Sequence, residues 1–309
     1  MRTSKSAIAS IIKETTCAIW TALQTQHMPS SAEEIFQEIA KYFNIRWNFP
    51  NWVESIDGKH IRIKYPPNSG SQYFNYKHYH SIVLLVVVDA NLKFVTVNVG
   101  AYGKQSDGRV FRYSALYQKF ETRSLKLPED TVLPNSEITL PCVFVRDEAY
   151  PLTTHLMKPY SRRTLDRSKA IFNYRLSRAW RVVECAFGIC ASKWRILDKA
   201  IEIKVDTTLE IVKCLALLHN IIIHVEGLHD LSSNDYGSLD ANDGNQFKKI
   251  RIHNSVTASA KQTRDLFCKY FNNPAGSIPW QEEATGDVQQ FKVIITLCSH
   301  MNSVLHICT

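Results

Sequence analysis

Along the chain, the spacing of apolar positions changes from helical to alternating and back again. In residues 7–44 it is helical: Ala7, Ile8, Ile11, Ile12, Thr16, Ile19 and Leu23 fall on one face. A further helix is predicted after Pro29-Ser30-Ser31-Ala32-Glu33-Glu34, with a serine cap, acids in its first turn, and Ile35, Ile39 and Phe43 on one side. Phe49-Pro50-Asn51 breaks the helical spacing. Ile61-Arg62-Ile63-Lys64-Tyr65 then alternates, as a half-buried strand does, and Pro66 to Ser71 reads as a loop. The uninterrupted run Ile82 to Val88 predicts a buried strand. It turns at Asp89-Ala90-Asn91 and returns along Lys93 to Val99 as an antiparallel hairpin. A helix is expected over Arg109–Phe120, a polar insertion over 121–140, and a short buried strand at Val143-Phe144-Val145. Long helices are expected at 168–197 and 207–225. Strand, strand, strand, helix, strand, helices is an α/β order, compatible with a ribonuclease H-like mixed sheet flanked by helices and preceded by a short helical segment.

Composition narrows this picture only slightly. Hydrophobic residues make up 45% of the 309-residue chain, enough for a full core. The formal charge of +8 favours a polyanionic partner such as nucleic acid. The eight cysteines form no Cys-x-x-Cys pair, which argues against a zinc ribbon and for a reducing compartment. No segment approaches 18 consecutive apolar residues, so no membrane span is expected. Residues 228–247, polar and acidic with glycines, read as a flexible linker.

Four acids carry the candidate chemistry. Asp57 (Ile56-Asp57-Gly58-Lys59-His60-Ile61) and Asp147 (Val145-Arg146-Asp147-Glu148) adjoin strand-like runs. Asp107 sits near the predicted start of a helix, and Glu184 lies between Val183, Ala186 and Phe187 on an apolar helix face. Carboxylates on strand ends and one helix can converge on a pair of Mg²⁺ or Mn²⁺ ions and form a two-metal phosphodiester site. A buried Glu184 would need such a cation to offset its desolvation. Asp107 reads either as a ligand or as the cap of the helix near Arg109. His60 lies three residues from Asp57, on the opposite strand face, and reads as structural, as do His219 and His224. Between Lys158 and Lys199 eleven Lys/Arg stand against three acids. Arg162, Arg163, Arg167, Arg181, Lys193 and Arg195 of this band are the expected contacts to a DNA backbone.

Ordered across residues 57–220, these elements resemble the PIF/Harbinger group of DDE transposases and their transposase-derived nuclease relatives. The resemblance is carried by Asp57-Gly58-x-His60-Ile61; by Gly103, Asp107, Val110 and Phe111; by Asp147, Ala149, Tyr150, Pro151 and Leu152; by Arg181, Glu184, Phe187 and Gly188; and by Leu218-His219-Asn220. It implies a metal-dependent nuclease or strand-transfer domain whose catalytic triad is Asp57, Asp147 and Glu184, with Asp107 as an additional acid. It also implies DNA as substrate and a nuclear location. The chain departs from the pattern at Arg146, where the family has Gly, and after Gln281. The expected organisation is a helical segment at 1–48, the remnant of a helix-turn-helix region; a nuclease domain at 49–225; and a linker and tail at 226–309. With only the last helices of a DNA-reading unit, the chain is expected to need a DNA-binding partner protein for target specificity. The rival expectation is a domesticated, non-catalytic DNA-binding or adaptor protein that keeps the fold.

Overall fold

The computed structural model of the protein describes residues 4–28, 33–122, 124–145, 152–227 and 257–285. In chain order the elements are α1 (Lys5–His27), α2 (Glu33–Trp47), β1 (Trp52–Arg62), β2 (Ser81–Val88), β3 (Phe94–Tyr102), α3 (Asp107–Arg112), α4 (Ala115–Glu121), β4 (Thr131–Val132), β5 (Thr139–Leu140), β6 (Val143–Val145), β7 (Leu156–Met157), α5 (Arg167–Lys193), α6 (Val205–Glu226), α7 (Ala258–Phe271) and α8 (Gln281–Thr285). The main sheet is mixed and five-stranded, in the order β3-β2-β1-β6-β7. β1/β2 and β2/β3 are antiparallel, and β6/β7 are parallel. This is the α/β sheet expected from the sequence, with β1 beside β6.

The chain divides into two compact units. The first comprises Met1–Phe36, Ser55–Leu127 and Val182–Ser232. All eight residues of β2 are buried, as an unbroken apolar run on a central strand requires. α6 packs along β3 and α1 and buries eleven residues. By length and composition α6 is apolar enough to cross a membrane, which the sequence reading excluded; 56% of its apolar window is buried inside the fold. Asn220 on α6 completes the edge of the sheet. Its Oδ1 accepts from Phe94 N–H at 2.8 Å, and its Nδ2 donates to Phe94 O at 2.8 Å and to His27 O at 2.9 Å. His219 is buried, with Nε2 2.8 Å from Leu92 O, which is the structural role expected of it.

The second unit comprises Gln37–Glu54, Pro128–Arg181 and Ser233–Thr309. Its core is aromatic. Phe43 stacks on Trp52 at 4.9 Å, and Phe49 meets Trp52 and Phe271 edge-on at 4.8 Å each. α7, which supplies Phe267 and Phe271, lies within the stretch expected to be linker and tail. Helical spacing of Ala260, Thr263, Phe267 and Phe271 gives it a face to bury.

Three boundaries differ from the periodicity reading. β1 runs from Trp52 to Arg62 and so extends well before the alternating stretch Ile61–Tyr65, because Glu54 and Ser55 are buried within the strand and mask its alternation. The single helix expected over 109–120 is two, because Ser114 accepts from Tyr117 N–H at 3.2 Å and caps α4. The polar insertion at 121–140 contains the β4/β5 hairpin, clamped by Asn51, whose Nδ2 donates to Leu140 O at 2.8 Å. The expected cap at 29–32, the linker at 228–247 and the tail beyond 285 lie outside the described residues.

Candidate active site

The acids of the first unit gather around β1. Asp57 pairs across from Val86 in the middle of the strand and is half-buried. Two residues on, Lys59 shares its face of the pleat. The Lys59 ammonium lies 5.2 Å from the centre of the Phe187 ring, one helical turn after Glu184 on α5. Burial lowers the Lys59 pKa below the ordinary lysine value, while Cys190, Asp57, Asp198 and Glu184 push it back up. One half-buried cation therefore sits in the combined field of Asp57 and Glu184.

Glu184 itself is exposed. This corrects the expectation of a carboxylate buried on an apolar face. At 100° per residue, Val183, Ala186, Phe187 and Cys190 form the buried stripe, and Glu184 falls beyond its edge. The desolvation argument for a cation at Glu184 fails, while its place near Lys59 stands.

Asp107 opens α3, and Ser106, not Asp107, caps the helix by accepting from Arg109 N–H. A Cβ built on Gly58 would lie 2.5 Å from Asp107 Oδ1, so glycine is required for this approach. Asp107 meets β1 on the side toward which residue 58 projects, opposite to Asp57. Lys77, on the β1–β2 loop, links the two. Burial lowers its pKa to about 8 against the opposing pull of Asp107 and Asp57.

Asp147 lies outside the described residues. β6, which ends two residues before it, runs beside the start of β1, with Val143 N–H donating to Asn51 O at 2.7 Å. Among the described residues no group of three or more His, Cys, Asp or Glu side chains is arranged to hold a metal ion. The donors available are hard carboxylate oxygens, the chemical type that suits Mg²⁺ or Mn²⁺, but Lys59 supplies positive charge beside two of them.

His60 is structural. Its Nδ1 lies 2.9 Å from Ser81 Oγ, and its pKa is pushed down to about 4 by burial and by the Lys77 charge. The basic band is not uniform. Arg175 is 2% exposed and donates to Gly276 O, Gln281 Oε1 and Asn48 O, with its guanidinium 4.3 Å from the Phe271 ring; it is a core residue. Arg167 is exposed but pairs with Glu282, and Lys193 pairs with Glu226 at 3.1 Å. Arg163, Arg181 and Arg195 are exposed. Arg162 lies on the short 3-10 turn Arg162–Thr164, with its side chain outside the described set.

Sequence reasoning missed Lys59 and Lys77. The signal for Lys59 was available: residues two apart on a strand share a face, so the lysine was bound to lie beside Asp57.

Strand order, the acid-bearing elements and sequence comparison agree on the class. The chain belongs to the DDE superfamily endonucleases, whose family pattern it matches over residues 56–220. Over 202 residues it is 30% identical to "Protein ALP1-like" of Arabidopsis thaliana, a stretch covering 64% of this chain and 48% of that protein. The chain thus spans about half the length of the curated relative it matches. No solved structure matches it at a significant level.

Proposed function

We propose that the protein is a transposase-derived nuclease that cleaves DNA phosphodiester bonds with divalent metal, using Asp57, Asp147 and Glu184 as catalytic ligands and Asp107 beside them. The observation that supports this reading is that acids of separate motifs lie around one strand, β1, with Asp57 and Glu184 both acting on Lys59 and Asp107 approaching Gly58 from the opposite side. Bound Mg²⁺ or Mn²⁺ would activate the attacking oxygen and stabilise the leaving one. Asp57 and Glu184 would supply hard oxygen ligands, and Lys59 would neutralise their mutual repulsion. Arg163, Arg181 and Arg195, with Arg162, Arg167 and Lys193, are proposed to contact the DNA backbone. We place the protein in the nucleus, away from membranes. The segment 1–48 is read as a helical segment, 49–225 as the nuclease domain and 226–309 as linker and tail, with a partner protein supplying target specificity.

A second reading is favoured by one observation. A lysine beside Asp57 and Glu184 already answers part of their charge, as it would in a domesticated, non-catalytic DNA-binding protein. Plasmid DNA incubated with Mg²⁺, with Mn²⁺ and with EDTA separates the two. Nicking that requires metal and is abolished by Asp57→Asn and by Glu184→Gln supports the nuclease. Metal-independent binding without nicking supports the adaptor.

A further inference from the structure

The loop joining β1 to β2 presents aromatic rings to solvent on a scaffold built to hold them there. Tyr65 is 51% exposed, Phe74 41% and Tyr76 46%. Tyr65 meets His80 edge-on at 4.9 Å, Phe74 lies 5.3 Å from the same imidazole, and His78 follows at 6.1 Å, so the rings form a continuous strip. Tyr76, two residues after Phe74, meets His60 edge-on at 5.6 Å, with the Lys77 ammonium 5.6 Å from its ring centre.

The backbone beneath is tied down. Buried Asn75 accepts from Lys77 N–H at 3.0 Å and from Tyr79 N–H at 3.2 Å, and donates to Ser81 Oγ at 2.9 Å. Ser81 N–H donates to Tyr73 O, and Gly103 N–H to Ser81 O. A Cβ on Gly103 would lie 2.4 Å from both Ser81 Oγ and Tyr73 O, so only glycine closes this joint.

We propose that this strip is a stacking platform for the bases of single-stranded DNA, holding an unpaired strand beside β1. The inference rests on the DNA reading above and adds the form of DNA. Three considerations select this occupant. From Gly58 to Ser81 the chain carries Lys59, Arg62, Lys64 and Lys77 and no acid, which suits a polyanion. Duplex bases keep their faces stacked on one another, so exposed rings on a protein find partners only among unpaired bases. Tyr76 meets the ring of His60, three residues along β1 from Asp57, edge-on at 5.6 Å, so a strand laid on the platform lies beside the strand that carries Asp57.

The test uses the full chain in EDTA with a short single strand carrying 2-aminopurine, a blunt duplex of equal length, and the variants Phe74→Ala, Tyr76→Ala and Tyr76→Phe. Tyr113→Ala, at a 66% exposed tyrosine off the loop, is the control. We expect the unaltered protein to prefer the single strand and to quench its 2-aminopurine. Each alanine should weaken single-strand binding roughly 5- to 100-fold and leave duplex binding unchanged. Tyr76→Phe and Tyr113→Ala should bind as the parent does. Thermal melts of all variants should coincide, since the rings are exposed. Alanine variants that bind the single strand like the parent, or that lose both DNA forms equally, overturn the platform while leaving the DNA reading intact. If the parent binds neither form, both fall.

Discussion

Replacing Asn220 should unfold the protein well before it touches any chemistry, although this residue belongs to the Leu218-His219-Asn220 motif. Phe94 is fully buried at the outer strand of the sheet, so no further strand serves its backbone groups. Asn220 satisfies both its N–H and its C=O, and also caps His27 O. Asn220→Ala leaves two buried backbone groups unpaired, at about 1–3 kcal/mol each, with the half-buried end of α1 recovering its third bond from water. The expected loss is about 3–4 kcal/mol, a fall of roughly 6–16 °C in Tm. Asn220→Asp discriminates further. It keeps the acceptor for Phe94 N–H but turns a carboxylate oxygen toward two carbonyls, so at neutral pH it should be no more stable than the alanine variant. Its carboxyl pKa should be raised on folding, so its stability should recover as pH falls and the acid regains a proton to donate. Urea denaturation followed by circular dichroism reads both effects. The argument fails if Asn220→Ala lies within about 1 kcal/mol of the parent, or if it abolishes nicking while melting normally.

Three other outcomes follow from features of the fold. Arg175→Ala should cost about 3–5 kcal/mol, because two buried acceptors and a half-buried one lose their donor, yet leave the salt dependence of DNA binding unchanged; a reduced salt slope would return Arg175 to the phosphate surface. Gly58→Ala should displace the Asp107 carboxylate with little loss of stability, since a short side chain can rotate away, and so lower the Lys77 pKa below about 8; an unchanged titration of ¹³C-methylated Lys77 would show that Asp107 had not moved. His60 and His219 are both held neutral, with pKa values about 4 against 6.5 unfolded. Their contribution is therefore present above about pH 6.5 and lost as pH falls toward 4, by about 1.5 kcal/mol each between pH 6.5 and 5. A urea midpoint that stays flat over that interval would contradict it, and His219→Gln should remove about half of the effect.

Much of this architecture was legible because its signals are local. A seven-residue apolar run has no stable place except a strand covered on both faces, and β2 is that strand. The helical face of α6 and the glycine beside Asp57 were equally plain. What escaped depends on partners far along the chain. Arg175 sits among charges and reads as solvated, but its acceptors are 101 and 106 residues away, on Gly276 and Gln281. Glu184 lies one step off the buried stripe of α5, a rotation that apolar neighbours alone do not reveal. The start of β1 was hidden by buried polar Glu54 and Ser55, and the break between α3 and α4 by one serine whose capping bond forms only once the turn exists.

The packing of α1 on α6 sets a schedule for synthesis. α1 has no buried residue of its own, and the carbonyl at its end is capped by a residue 193 positions later. At about 5–20 residues per second, a ribosome delivers Asn220 roughly 10–40 s after His27. Throughout that interval the first helix carries Ile12, Ile19 and Leu23, half-buried in the finished fold, with no α6 beside them. Until α6 is made, α1 therefore has no partner for its apolar face, and the yield of the protein in a cell should depend on chaperones that hold this helix while the rest is made.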